Sequence, residues 1–217
     1  MSESDSFIDE VTEEVRRDKL FAFLRKYAWA GMALVALVVG GTAWIEWRKH
    51  VTRSQAEAFG DAVVAASTGA DAAARAKALA AVPVRGPEGA VLGQILAAEQ
   101  LAAGDRAAAI AALDAVASNE GYPALLRQLA QLKSVILQGR AMDPAARDAA
   151  LAALAAPGAP FRVLAVEQQA LVLVDAGKRD EALALFRSLM QDAEATQALR
   201  ARVAQLMVAL GADPGAA

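Results

Sequence analysis

The sequence contains no cysteine and only one histidine among its 217 residues. Without cysteine it forms no disulfide, no thiolate metal site and no cysteine nucleophile. With a single histidine, the chain also lacks the residues from which zinc sites and histidine-based catalytic triads are usually built. That residue, His50, stands directly after Arg48 and Lys49 and is predicted to be interfacial rather than catalytic. We therefore expect a chain that is not an enzyme and that holds no cofactor and no metal.

A strong excess of one charge is also lacking. The chain has 22 Lys and Arg against 25 Asp and Glu, and these are spread along it. No basic face is present that would neutralise a phosphate backbone, so we predict no nucleic-acid partner. Glycine-rich phosphate loops follow strands, and here β-branched runs are few and strict alternation is absent. Since alanine, a strong helix former, supplies much of the apolar content, the predicted fold class is all-α.

One long apolar run stands near the N-terminus. The 19 residues 27–45 carry no charge and are bounded by Lys26 and Glu46. At about 1.5 Å per residue this run would be roughly 30 Å long as a helix, which is the thickness of the hydrocarbon core of a bilayer. A buried core helix is the alternative, but such helices are seldom this long without a charge. The sequence predicts a transmembrane helix over residues 27–47, in contact with the lipid bilayer.

Aromatic residues are scarce, yet several stand at the two ends of this run. Side chains predicted to lie at the membrane interfaces are Tyr27, Trp29, Trp44 and Trp47. Amphipathic rings at both ends are typical of an aromatic belt. Within the span, Ala36 and Gly40 form a small-x-x-x-small pair, a possible helix–helix contact that is also common by chance in alanine-rich helices.

The flanking cations predict the orientation of the span. Five Lys and Arg precede it within residues 16–26, and three follow it within residues 48–53. The positive-inside rule then favours a cytoplasmic tail over residues 1–26 and a periplasmic domain over residues 48–217. A cleaved signal peptide is the alternative, but its leader would carry 26 residues, many of them polar or acidic, before the apolar run.

The tail itself has an amphipathic pattern. Residues 7–24 place apolar side chains at mostly helical spacing among charges. Such a helix would lie along the cytoplasmic surface, dock onto a partner or serve as a solvated spacer. These three roles stay open.

Two segments of the C-terminal part share one pattern of small, glycine and bulky residues, with offsets of 7, 5 and 4. The matched residues are Ala97, Gly104, Ala109 and Leu113 in the first segment and Ala170, Gly177, Ala182 and Phe186 in the second. Small residues let two helices approach, and glycine supplies a left-handed turn. This spacing is typical of tetratricopeptide-like helical hairpins. A degenerate third copy lies between them, so copies start near 90, 123 and 163, whereas an irregular alanine-rich bundle is the alternative.

A partner-binding surface follows from this repeat frame. In tetratricopeptide stacks the first helix of each hairpin lines the concave side. The second, fifth, ninth and twelfth positions of the copies face that side, and they include the predicted partner-binding residues: Gln94, Leu101, Arg127, Gln131, Ser134 and Glu167. We expect Arg127 and Glu167 to matter most; ordinary solvated side chains are the alternative.

The layout resembles the ancillary subunits of the bacterial Sec translocon that carry a periplasmic tetratricopeptide-like domain. The resemblance rests on an acidic-then-basic tail, an anchor ending in WIEWR at residues 44–48, and a following helix with Ala56, Ala58 and Ala62. Degenerate hairpins to the C-terminus complete it. The repeats depart from the family in being poor in Tyr and Trp.

Membership of that family would imply a bacterial inner-membrane protein beside the Sec channel. Its partners would be the channel, a membrane-anchored periplasmic chaperone related to peptidyl-prolyl isomerases, and exported client proteins. The family has no catalytic residues. Two alternatives stay open: a scaffold subunit of another inner-membrane assembly, such as a respiratory or cell-division complex, and a hydrolytic enzyme on a helical scaffold, for which catalytic groups are lacking.

Overall fold

A computed structural model describes the backbone of residues 3–215 and the side chains of residues 25–26, 29 and 31–215. Over this backbone the chain forms α-helices and one 3₁₀ turn and no strand, so the all-α prediction is confirmed. The helices are α1 (Glu3–Ala66), α2 (Ala72–Ala80), α3 (Gly89–Ala102), α4 (Arg106–Ser118), α5 (Ala124–Gln138), α6 (Pro144–Leu154), α7 (Arg162–Asp175), α8 (Arg179–Gln191) and α9 (Gln197–Ala209).

The chain divides into two compact units, Met1–Gly60 and Asp61–Ala217. The described backbone of the first unit is a single helix, part of α1, and its side chains from residue 31 to residue 58 are all exposed. The predicted tail helix over residues 7–24 falls within α1, and its side chains lie outside the described ones. Trp44 and Trp47, one turn apart, have ring centroids separated by 5.2 Å.

Within the described residues no helix combines the length and the apolarity needed to cross a bilayer. This result does not support the transmembrane helix predicted over residues 27–47, which stays a prediction of the sequence.

The second unit is built from helical hairpins. Helices α3 and α4 pack together through Ala97, Ala109 and Leu113, all of them buried. The turn between these helices passes through Gly104, whose φ of +85° is a left-handed conformation that glycine adopts without strain. Helix α4 starts where the Asp105 carboxylate accepts a hydrogen bond from the Ala108 amide, an N-cap that satisfies one of the free donors of the first turn.

Helices α7 and α8 repeat this arrangement. Ala170 and Ala182 are buried where the two helices meet, Phe186 is fully buried beside them, and Gly177 turns the chain with a φ of +75°. Helix α9 covers the hairpin with Leu199 and other apolar side chains of the same cluster. The positions matched in the two sequence segments therefore have the same surroundings in both hairpins.

Helices α5 and α6 form a less regular pair between these hairpins. A 3₁₀ turn, Gly139–Ala141, lengthens the connection at the place where the third copy is degenerate. Asp143 then caps α6 through the Ala146 amide. Leu132 of α5 packs with Leu151 and Leu154 of α6 in a separate buried cluster.

Candidate functional site

Two neighbouring cavities lie along α3, α5, α7 and α9, with volumes of about 450 and 350 Å³. They share Ile136 of α5, whose side chain is 51 % exposed. We call these two cavities together the groove. Its apolar side chains include Leu101, Ile136, Leu137, Leu164, Leu171 and Leu206. The groove is therefore an open, mainly apolar surface provided mostly by alternate helices of the second unit, with Arg106 and Leu113 added from α4.

The first cavity also carries polar groups, and its charged ones are basic. Lys133 of α5 donates a hydrogen bond from Nζ to Gln94 Oε1 over 2.8 Å, which links α5 to α3. Arg106, at the start of α4, lines the same cavity. No acidic residue is among those that line this cavity. Its rim thus presents positive charge beside an apolar floor.

The second cavity contains an ion pair whose carboxylate is buried and whose guanidinium side chain is half exposed. The carboxylate of Glu167 accepts hydrogen bonds from Nε and Nη2 of Arg202, and Glu167 is only 3 % exposed. The hydrogen bond to Glu167 raises the pKa of the Arg202 guanidinium above its ordinary value. Because the carboxylate is held by two donors, Glu167 offers no free carboxylate to a partner.

The structure separates the six predicted partner-binding residues into two groups. Gln94 and Leu101 line the first cavity and Glu167 lines the second. The other three lie outside the groove. Gln131 and Ser134 line a different cavity of about 290 Å³ together with residues of α4 and α6. Placing Ser134 on an open concave surface was wrong, because it is buried and donates a hydrogen bond to Asp114 over 2.5 Å.

Arg127 lies on α5 away from all three of these cavities. It is partly buried, and its Nε has no hydrogen-bond partner. Arg127 and Glu167 are the two charges expected to matter most. Arg127 lies outside the groove, and Glu167 lies in the groove but is already paired with Arg202. Neither is placed to act as a free charge in the groove.

The α5 residues were misplaced because the third copy starts about two residues later than position 123. Counted from residue 125, the ninth and twelfth positions are Lys133 and Ile136, which do line the groove. Two residues turn an α-helix by about 200°, so this small shift moves the prediction to the opposite face. Leu132 then takes the eighth position, against α6, as Ala97 does against α4. The other copies have alanine at the eighth position, so the leucine of the third copy made its starting residue difficult to recognise from the sequence.

The residues predicted at the membrane lie in the first unit. Trp29, Trp44 and Trp47 are exposed, and the Tyr27 side chain lies outside the described ones. Ala36 and Gly40 are exposed too. A Cβ placed on Gly40 would meet no atom within 4 Å. The described positions among these are exposed, and the ring contact described at them is the one between Trp44 and Trp47.

The described side chains include no group of three His, Cys, Asp or Glu that could hold a metal ion. Among known proteins, no family model, no curated protein and no solved structure matches the chain. Its function is therefore inferred from the groove and from the apolar helix.

Proposed function

We propose that this protein is a non-catalytic, membrane-anchored adaptor whose groove binds a segment of another protein. We further propose that it works as an ancillary subunit at the Sec translocon and helps to hand exported proteins to periplasmic chaperones. The observation that carries the proposal is the groove itself. Alternate helices of consecutive hairpins provide most of it, which is how tetratricopeptide-like repeats form a concave binding surface.

The exposed apolar side chains in the groove favour a protein ligand. Ile136 is 51 % and Leu101 is 44 % exposed. Covering these side chains with a bound segment would stabilise the complex, because each Å² of apolar surface removed from water contributes about 25 cal/mol. Contiguous exposed apolar surface on a folded domain is typical of a binding site. A polar rim with Gln94 and Lys133 gives such a site hydrogen-bonding groups that orient the bound segment.

The apolar helix of the first unit supports the anchor. Its large aliphatic side chains between residues 31 and 45 are 52–74 % exposed. A helix that is apolar all round is expected to be buried, either in a protein core or in a membrane. We propose that lipid covers this surface and that the second unit is periplasmic.

Photo-crosslinking from the groove tests this function. The full chain, expressed in a Gram-negative bacterium, would carry a photoreactive phenylalanine analogue at Ile136. We expect adducts with a Sec channel subunit or with a membrane-anchored periplasmic chaperone, identified by mass spectrometry. Val208 of α9 is the matched control, because it is similarly exposed but lines neither cavity of the groove.

Two outcomes would contradict the proposal. Equal adducts from positions 136 and 208 would show that the groove has no special role in binding. Adducts from position 136 with subunits of a respiratory or cell-division complex would assign the protein to that assembly instead of the translocon.

A further inference from the structure

The charge of the first cavity differs from that of the chain as a whole. The chain has a net charge of −3, yet Lys133 and Arg106 are the charged residues that line this cavity. Several other cations of the second unit are neutralised by carboxylates, as in the ion pairs of Arg75 with Glu99 and of Arg162 with Asp192. The first cavity is therefore locally positive on a chain whose net charge is negative.

Neither cation forms an ion pair within the described part of the chain. The Lys133 ammonium donates to Gln94, a neutral amide, which satisfies one donor but leaves the charge uncompensated. Arg106 follows Asp105, but the Asp105 carboxylate is directed to the Ala108 amide as the cap of α4. Both cations are exposed, so a ligand can reach them.

Apolar residues adjoin these charges in the same cavity. Leu101 and Ile136 are exposed there, with Leu137 and Ala98 beside them. A small anion would leave this apolar surface uncovered, and a purely apolar segment would desolvate Lys133 without compensation. A segment with cationic side chains would be repelled by the rim. One chemistry satisfies all three constraints: apolar side chains flanked by carboxylates.

We propose that the groove binds an amphipathic segment of a partner protein in which Asp or Glu flank the apolar anchor residues. This inference rests on the proposed function and adds the chemical class of the segment. The anchors occupy the cavity of about 450 Å³ around Ile136, a volume typical of pockets that bury a ligand. Carboxylates of the segment pair with Lys133 and Arg106 at the rim.

Two designed helical peptides test the proposal. Both carry Leu at i, i+3, i+4 and i+7, which is the spacing of a helix that docks in an apolar groove. One has Glu at the flanking positions and the other has Lys. Each is labelled with a fluorophore, and its anisotropy is titrated with the full chain reconstituted in discs of a zwitterionic lipid, with empty discs as the blank.

We expect the Glu peptide to bind more tightly than the Lys peptide, and its affinity to fall as salt is raised from about 0.05 to 0.5 M, because salt screens exposed charges. The double variant K133E/R106E should weaken the Glu peptide about tenfold and tighten the Lys peptide, since two attractions become repulsions. Arg187→Glu is the matched control: Arg187 is an exposed cation of α8 outside the groove, and its reversal should leave both affinities nearly unchanged.

The two proposals fail in distinguishable ways. If the Glu peptide binds no better than the Lys peptide, or if neither binds, while Ile136 still crosslinks a translocon partner, the acidic segment is wrong and the proposed function stands. If, in addition, position 136 gives no more adducts than position 208, both proposals are wrong. Circular-dichroism melting of each variant shows that a loss of affinity is not a loss of fold.

Discussion

Arg202 of α9 holds the buried carboxylate of Glu167 of α7, with Nε–Oε1 and Nη2–Oε2 distances of 2.5 and 2.7 Å. The two residues are 35 positions apart in the chain, and their pairing fixes α9 against the α7–α8 hairpin in addition to the apolar contacts of Leu199 and Val203. The Arg202 side chain is 50 % exposed, whereas that of Glu167 is 4 % exposed. The buried carboxylate depends on this one guanidinium for its charge partner.

Removal of that guanidinium should destabilise the second unit. Arg202→Met leaves the Glu167 carboxylate buried without a counter-charge, and we expect the free energy of unfolding to fall by about 2 kcal/mol. Urea unfolding of the full chain, followed by circular dichroism, measures it. The double variant E167Q/R202M buries no charge and should be more stable than R202M alone. Equal stabilities of the single and double variants would show that the stranded charge is not the cause.

Enlarging Ala182 tests the contact between α7 and α8. Ala182 is fully buried in the cluster that contains Ala170 and Phe186. Ala182→Leu should overpack this contact and lower the free energy of unfolding by about 1–3 kcal/mol. Ala184→Leu, on an exposed position of the same helix, is the control and should change the melting temperature little. If both variants melt like the parent protein, the small residue at this position is not needed for packing.

Acid should weaken the second unit through Asp192. Its carboxylate accepts hydrogen bonds from the Glu194 amide and from Arg162, which lower its pKa. A lowered pKa in the folded state means that the unfolded state, with a pKa of about 3.9, binds the proton more strongly. The resulting stabilisation is fully present above that pH and is lost as pH falls through the folded pKa. Asp192→Asn should therefore make the free energy of unfolding fall less steeply as the pH is lowered, and urea unfolding at a series of pH values measures this. An equally steep fall in the parent protein and in the variant would contradict the prediction.

The Asp175 carboxylate provides an independent check on the same principle. Its pKa is lowered by the hydrogen bond from Arg140, which reaches Asp175 Oδ1 over 2.6 Å. Asp175→Asn should flatten the acid limb in the same direction, but less, because Arg140 is largely exposed and its hydrogen bond is screened by solvent.

Topology is the test of the anchor. If the N-terminal tail is cytoplasmic and the second unit periplasmic, protease added to intact spheroplasts should digest residues 61–217 and spare the tail. An epitope at each end, followed by immunoblotting, reports which part is lost. Protection of the second unit together with digestion of the tail would reverse the assigned orientation. Release of the intact chain by carbonate extraction would argue against a membrane span.

Much of the architecture can be derived from local sequence. Alanine-rich segments between Gly or Pro breakers predict helices, because helix propensity and breakers act over a few residues. The matched pair Gly104 and Gly177 marks both tight turns, since a positive φ favours glycine. The same spacing identified Ala109 and Ala182 as contact positions, and both are fully buried.

Sequence by itself determined the helical class, the two regular hairpins and the long charge-free run, because each depends on residues close together in the chain. Only the tertiary structure decided which face of α5 lines the groove, since a shift of two residues rotates that face away. The tertiary structure also decided that Glu167 is paired and not free, because its partner Arg202 lies on another helix. Gly93, where an added Cβ would come within 2.4 Å of Val116, likewise acquires its role only when α3 packs on α4. Contacts between distant residues leave no local pattern from which to infer them.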